Sequence, residues 1–402
     1  MQAAQQLEAG AEAQRRRSAP PRRRRAERGG ATCRTYNPPV PIEFAQRIRR
    51  IPVYPAAGGY ADESGLVRLA SNESPYPPLA AVREAIARAL DSVNRYPDPS
   101  NSLLRQRLSE RYDVPGSHIA IGNGSCDILL AAGEALLEPG AELVYAWPSF
   151  SVYPHLAAAS GARAITVALD EHERHDLHAM AREITVATRL VIVCNPNNPT
   201  STALALADIA EFLAEVPRHV CVIVDEAYCE FNVLDDPDAS IELLSHHPNL
   251  ILLRTFSKVH GLCGLRVGFA LCGSEELPRA LDQVRQPFFC NALAQAAAIE
   301  ALAHQDAVIE RVARTVAERI SVEERVRALG LSPADSQANF CWLQLGEDRD
   351  EQRVMAGLRE RGVLVRGGGA LGSETPALRV TYGLPQENAR FLDALAEVLE
   401  SA

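Results

Sequence analysis

Four short segments carry side chains that could share one reaction: Gly122-Asn123-Gly124-Ser125, Cys194-Asn195-Pro196-Asn197-Asn198-Pro199-Thr200, Val224-Asp225-Glu226-Ala227-Tyr228 and Thr255-Phe256-Ser257-Lys258. Lys258 is the most informative of them. The 41 basic residues are 40 arginines and this one lysine. A guanidinium stays charged at every working pH. An amine with a depressed pKa can lose its proton and attack a carbonyl, which is Schiff-base chemistry. The companions suit a phosphorylated pyridine aldehyde as the carbonyl. A Gly-Ser turn opening a helix offers N–H groups and a positive dipole to a phosphate. Thr255 and Ser257 add hydroxyls, and Arg266 adds a permanent charge. Asp225 would keep the pyridine nitrogen protonated and make the ring an electron sink. Tyr228 and Asn195 could hydrogen-bond the ring hydroxyl. An isolated Asp or Asn at a strand end is ordinarily a cap or turn residue, and the company of Lys258 is what promotes these two.

Such residues need a scaffold that gathers strand ends. Apolar runs at 143–146, 190–194, 220–224, 250–253 and 267–271 alternate with helical patterns, for example 127–137 and 206–213. That alternation predicts a mostly parallel α/β sheet buried on both faces, whose functional residues collect at the carboxyl ends of its strands. From about residue 296 the pattern changes to one long helix through 328. Strands at 340–345, 363–366 and 378–381 and a last helix follow, which predicts a smaller α+β domain. Gly367-Gly368-Gly369 reads either as a mobile loop over the substrate or as a plain connection. The expected division is a disordered Arg/Pro-rich arm over 1–40, an N-terminal segment over 41–74, a large cofactor-binding domain over 75–295 and a small domain over 296–402.

Composition narrows the class. Of 402 residues, 47% are hydrophobic and 23% charged, which is a globular balance, and no apolar run approaches a membrane span. Nine arginines against three glutamates give residues 1–34 a charge of +6, so the rest carries −16 and is no nucleic-acid-binding body. The arm has no apolar segment to pack and reads as a solvated extension or an overlong start. Nine cysteines without a C-x-x-C pair, several in apolar runs, suggest buried reduced thiols and a cytoplasmic protein. His172, His175 and His178 invite a metal reading, but Asp176 looks like a helix cap between them and separates their faces. No metal site is expected.

The chain resembles the fold type I aminotransferases dependent on pyridoxal phosphate. Within them it is most similar to histidinol-phosphate aminotransferases and the related aromatic (phenylalanine) aminotransferases. The resemblance is carried by Ala70-Ser71-Asn72-Glu73-Ser74-Pro75, Arg95-Tyr96-Pro97-Asp98, the four segments above, the continuation through Gly268, Ser336-Gln337-Ala338-Asn339-Phe340 and Leu378-Arg379-Val380-Thr381-Tyr382-Gly383. These run in family order from about 45 to 400. The resemblance implies a large domain with a mostly parallel seven-stranded sheet. It implies Lys258 as the amine that holds the cofactor and later shuttles the proton, Asp225 on the pyridine nitrogen, and Tyr228 and Asn195 on the ring oxygen. Ser125, Cys126, Thr255, Ser257 and Arg266 would bind the phosphate, with Tyr96 reaching over from a second subunit. Phe150 would stack on the ring. Arg366, Arg379, Asn72, Asn195 and a partner-supplied Tyr54 would bind substrate. A homodimer with shared active sites follows.

The sequence departs from the family pattern in three places, and the last of them bears on substrate. Ser201 follows Asn-Pro-Asn-Asn-Pro-Thr where glycine is usual, which should change only the local loop. Cys126 follows Ser125 where an acidic residue is commoner, so it would offer phosphate only its backbone N–H. Phe150 replaces a frequent tyrosine and removes a hydroxyl. The expected reaction is transamination between histidinol phosphate and 2-oxoglutarate, giving glutamate, in histidine biosynthesis. The alternative is an aromatic amino acid, and a less favoured one is decarboxylation of an amino-acid phosphate on the same scaffold.

Overall fold

The computed structural model describes residues 43–51, 53 and 65–401. The arm over 1–40 and Tyr54 lie outside the described residues. Thirteen strands are present among the rest: β1 (Val67–Arg68), β2 (Ile119–Gly122), β3 (Glu142–Trp147), β4 (Arg163–Ala168), β5 (Thr188–Cys194), β6 (Cys221–Asp225), β7 (Leu250–Thr255), β8 (Gly268–Cys272), β9 (Ser332–Pro333), β10 (Phe340–Gln344), β11 (Val363–Leu364), β12 (Arg366–Gly367) and β13 (Ala377–Thr381).

Seven of them form one sheet in the order β2-β8-β7-β6-β5-β3-β4. All neighbours are parallel except β8, which runs antiparallel between β2 and β7. Side chains alternate between faces along a strand, and the core divides accordingly. Ile121, Val144, Val191, Val193, Val222, Val224 and Leu252 point to one apolar layer. Ala120, Tyr145, Leu190, Ile192, Ile223, Ile251 and Leu253 point to the other. Helix Ala292–Leu302 covers the first layer through Ala294, Ala297, Ala298 and Ala301. Helices Ser125–Leu136 and Tyr153–Ser160 cover the second. Two-sided burial is why the central strands read as unbroken apolar runs. At the edge, β4 exposes most of its residues, and that is why no apolar run announced it.

A second, four-stranded antiparallel sheet has the order β12-β13-β10-β9, and β1 pairs in parallel with β11. Its core joins Leu69, Val322, Val326, Leu343, Leu358, Phe391 and Leu395. The expected long helix to residue 328 is two helices, Ala292–Leu302 and Gln305–Ala328, separated at Ala303 and His304. They serve different cores, the first against the large sheet and the second, through Val322 and Val326, against the small one. One straight rod could not serve both. The expected strand over 363–366 is likewise two short ones, because β11 pairs with β1 while β12 pairs with β13. Glu173 ties the two sheets together: its carboxylate accepts from Trp342 Nε1 at 2.9 Å and from Gln344 Nε2 at 2.5 Å.

Candidate active site

Parallel β3, β5, β6 and β7 all finish at the same edge of the sheet, and antiparallel β8 begins there. This brings Phe150, Asn198, Asp225, Lys258 and, just before β8, Arg266 around one cavity of about 270 Å³. Asn72, Ser125, Cys126, Tyr228, Thr255, Ser257, Arg366 and Arg379 also line it. Twelve of the residues expected from sequence are therefore together.

Lys258 Nζ donates to the backbone oxygens of Asn72 at 2.9 Å and Ser71 at 3.4 Å. Burial, with the Arg379 charge second, pulls its pKa down to about 8. Asn72 is a junction. Its backbone has φ 53, a left-handed conformation that asparagine tolerates. Its Nδ2 donates to the Tyr228 hydroxyl at 3.0 Å, and its own N–H donates to Thr381 Oγ1 at 2.9 Å. Amine, phenol and small sheet thus meet on one buried side chain.

Asp225 ends β6 and is 3% exposed. Burial raises its pKa to about 6, opposed by hydrogen bonds from the Tyr153 hydroxyl at 2.9 Å and the Ala227 N–H at 3.3 Å. Burial also holds the Tyr228 phenol well above its ordinary pKa. Phe150 stands edge-on to Tyr153, with ring centroids 5.7 Å apart.

At the other end, helix Ser125–Leu136 starts after Gly124 with no side-chain cap, and its first two residues, Ser125 and Cys126, line the cavity. Arg266, at φ 60, donates to Ser257 Oγ at 3.3 Å and to the Cys263 carbonyl at 2.9 Å. A Cβ on Gly124 would run into the Arg266 guanidinium, and one on Gly268 would sit 2.5 Å from Ser125 N. Both glycines are needed for the close approach of cation and helix end. A guanidinium, a helix N-terminus and three hydroxyls suit a dianionic phosphate. A buried amine and a buried carboxylate farther along suit the aldehyde and the ring nitrogen. The residues fit a phosphorylated pyridine aldehyde at each of its polar ends.

Asn195 is a correction. It does not line the cavity, because its amide is paired with Leu204, accepting the N–H at 2.8 Å and donating to the carbonyl at 3.2 Å. Asn198, three residues on in the same motif, lines the cavity instead, and its Oδ1 accepts from Arg379 Nη1 at 2.6 Å. Arg379 also donates to the Ala70 carbonyl at 2.7 Å. Tyr96 lies outside the cavity, 80% exposed and stacked on Phe288 at 4.4 Å. Leu371, not singled out from sequence, reaches the cavity from a short 3-10 turn after the triple glycine. Glu351 holds that turn by accepting the Gly369 N–H at 3.1 Å and the Ala377 N–H at 3.2 Å. Asp176 caps helix Leu177–Arg182 as expected, while His175 is buried, bonded to Asn197 at 3.1 Å and held neutral by burial, its pKa pushed down to about 4.

Known proteins agree with this picture. The family profile "Aminotransferase class I and II" matches residues 64–395. The chain is 46% identical to an aromatic amino acid aminotransferase of Thermobifida fusca over 81% of its own length and 88% of that protein's. It is 43% identical to histidinol-phosphate aminotransferase 1 of Cupriavidus pinatubonensis over 84% of its length and 90% of that protein's. Its fold matches a histidinol-phosphate aminotransferase of Sinorhizobium meliloti, solved with pyridoxal 5'-phosphate, at a TM-score of 0.80 and 28% identity, covering 89% of this chain and 98% of the other.

Proposed function

The chain belongs to the class I and II aminotransferases and depends on pyridoxal phosphate, and from that premise we propose that it moves the amino group of an aromatic amino acid to a 2-oxo acid. The observation that carries the substrate reading is the cavity's make-up. Leu371 supplies apolar wall beyond the cofactor ring that Phe150 would cover, and Arg379 with Arg366 supplies cationic grip in the same cavity. A ring and a carboxylate are what such a wall and grip accept. The described residues include no helix long and apolar enough to cross a membrane. The eight described cysteines are all free, which supports a place in the cytoplasm.

When bound, pyridoxal phosphate supplies a carbonyl for the substrate amine and a ring that withdraws electrons from the substrate α-carbon. The chain's part is to hold, orient and move protons. The first N–H groups of helix Ser125–Leu136, including that of Cys126, with the Ser125, Thr255 and Ser257 hydroxyls and Arg266, hold the phosphate. Asp225 would address the ring nitrogen and keep a proton on it. The Tyr228 hydroxyl and the Asn198 amide, in place of Asn195, address the ring oxygen. Lys258 Nζ would be the amine that holds the cofactor between turnovers. Once freed, it takes the proton from the substrate α-carbon, and its pKa near 8 leaves a useful fraction uncharged at neutral pH. Phe150 covers the ring face. Tyr96, and Tyr54 outside the described residues, would serve the neighbouring subunit's site in a homodimer. We further read 75–295 as the cofactor-bearing domain and 296–402 as the smaller one.

Histidinol phosphate is the second reading, favoured by two guanidiniums in one cavity, since a phosphate is held as readily as a carboxylate. The test is the visible spectrum of the purified protein with each donor in turn. Faster loss of the cofactor's absorption band with phenylalanine supports the aromatic reading. Faster loss with histidinol phosphate transfers the enzyme to histidine biosynthesis, with 2-oxoglutarate as the acceptor. Release of carbon dioxide would sink both.

A further inference from the structure

Tyr153 is fully buried, and its hydroxyl donates to the Asp225 carboxylate at 2.9 Å while also meeting the Cys194 thiol. The two residues are 72 positions apart, one at the head of helix Tyr153–Ser160 and the other at the end of β6. The Tyr153 ring also meets Phe150 edge-on at 5.7 Å and Tyr145 at 6.0 Å. One side chain therefore fixes both the carboxylate and the aromatic wall of the cavity.

We propose that Tyr153 is a positioning residue of the transamination site, which orients the Asp225 carboxylate toward the ring nitrogen and keeps it ionised there. The proposal rests on the reading of Asp225 given above. A buried carboxylate without donors would take up a proton and lose the charge that stabilises a protonated ring nitrogen. The only other hydrogen bond to the Asp225 side chain among those described is the longer one from Ala227 N–H. The groups that face Asp225 otherwise are Glu226 and Tyr228 after its own strand, Cys194 on β5, Cys126 on helix Ser125–Leu136, and Lys258 after β7. Of these, Lys258 alone brings positive charge, and it is spoken for by the carbonyl when the cofactor is bound. Tyr153 is thus the group free to hold the carboxylate in its charged form throughout turnover.

The experiment compares Tyr153→Phe, Tyr145→Phe, Asp225→Asn and the Tyr153→Phe/Asp225→Asn double variant. Cofactor affinity is measured by equilibrium dialysis, and the cofactor's absorption band is titrated with pH. Tyr153→Phe keeps the ring that packs on Phe150 and Tyr145. Its cofactor Kd should rise roughly ten- to hundredfold, the range for a hydrogen bond to a charged group. The acid limb of the band's titration should move to higher pH. In the Asp225→Asn background the same change should have little further effect, since the coupling runs through that carboxylate. Tyr145→Phe removes a hydroxyl from a neighbouring buried ring of the same cluster and should leave both readouts as in the wild type. Should Tyr153→Phe match the wild type while Asp225→Asn binds poorly, Tyr153 is idle and the inference fails alone. An equal loss in Tyr145→Phe would make the effect one of packing and also overturn it. If Asp225→Asn itself binds cofactor and titrates like the wild type, the reading of Asp225 falls and this inference with it.

Discussion

At the scale of single residues, Lys258 was legible from composition, and its surroundings explain how an amine is made reactive. With its pKa near 8 rather than 10.5, the amine of the cofactor-free protein should acylate about tenfold faster per pH unit up to about 8 and level off above it. An ordinary lysine would keep gaining to about 10.5. Peptide mapping separates Lys258 from the α-amino terminus, and a plateau near 10 would refute the depressed pKa. The sign for stability follows. Between about pH 8 and 10.5 the unfolded chain holds a proton on Lys258 that the folded chain has lost, so this group's contribution makes the cofactor-free fold more stable as pH rises through that window. The neighbours were harder to read. The motif Asn195–Thr200 located the right loop, but only the hydrogen bonds tell that Asn195 closes the loop on Leu204 while Asn198 faces the cavity. Nothing in the sequence pairs Tyr153 with Asp225, since a contact across 72 residues is set by the order of strands in the sheet.

Elements were legible in proportion to how completely they are buried. β5, β6, β7 and β8 are covered on both faces and appear as apolar runs, whereas β4 is an edge strand and does not. Helix breaks without glycine or proline were also invisible, as at Ala303 and His304. The turn after β12 is the element that bears most on substrate. The triple glycine reads as mobile or as a mere connection, and the structure gives it a specific anchor in Glu351 at the head of helix Glu351–Glu360. Glu351→Ala would leave two backbone N–H groups without that partner and loosen the segment carrying Arg366 and Leu371. We expect KM for the amino donor to rise by about tenfold, consistent with losing charge-assisted hydrogen bonds worth ~1–3 kcal/mol. Cofactor affinity should stay unchanged, because no phosphate-end residue is touched. A change in cofactor affinity without one in KM would show that Glu351 serves the fold generally.

At the scale of the whole molecule, the expected large and small sheets are both present, and the way they are linked is what sequence reasoning could not supply. β1 crosses to pair with β11, Asn72 joins the small sheet to Tyr228, and Glu173 reaches from the turn after β4 to β10. The exposed Tyr96–Phe288 pair is consistent with a surface that a second subunit would cover. The solitary lysine has a practical corollary. A lysine-specific endoprotease has one possible target in the chain, the bond after residue 258, and would divide it into residues 1–258 and 259–402. That bond lies between β7 and β8, adjacent strands in the interior of the large sheet. Fraying of the periphery would not expose it, so digestion should follow opening of the whole sheet and read out global unfolding as a single gel band splitting in two. Borohydride fixation of the cofactor on the amine would erase the recognition site, and the treated chain should survive digestion intact even in denaturant the protease tolerates.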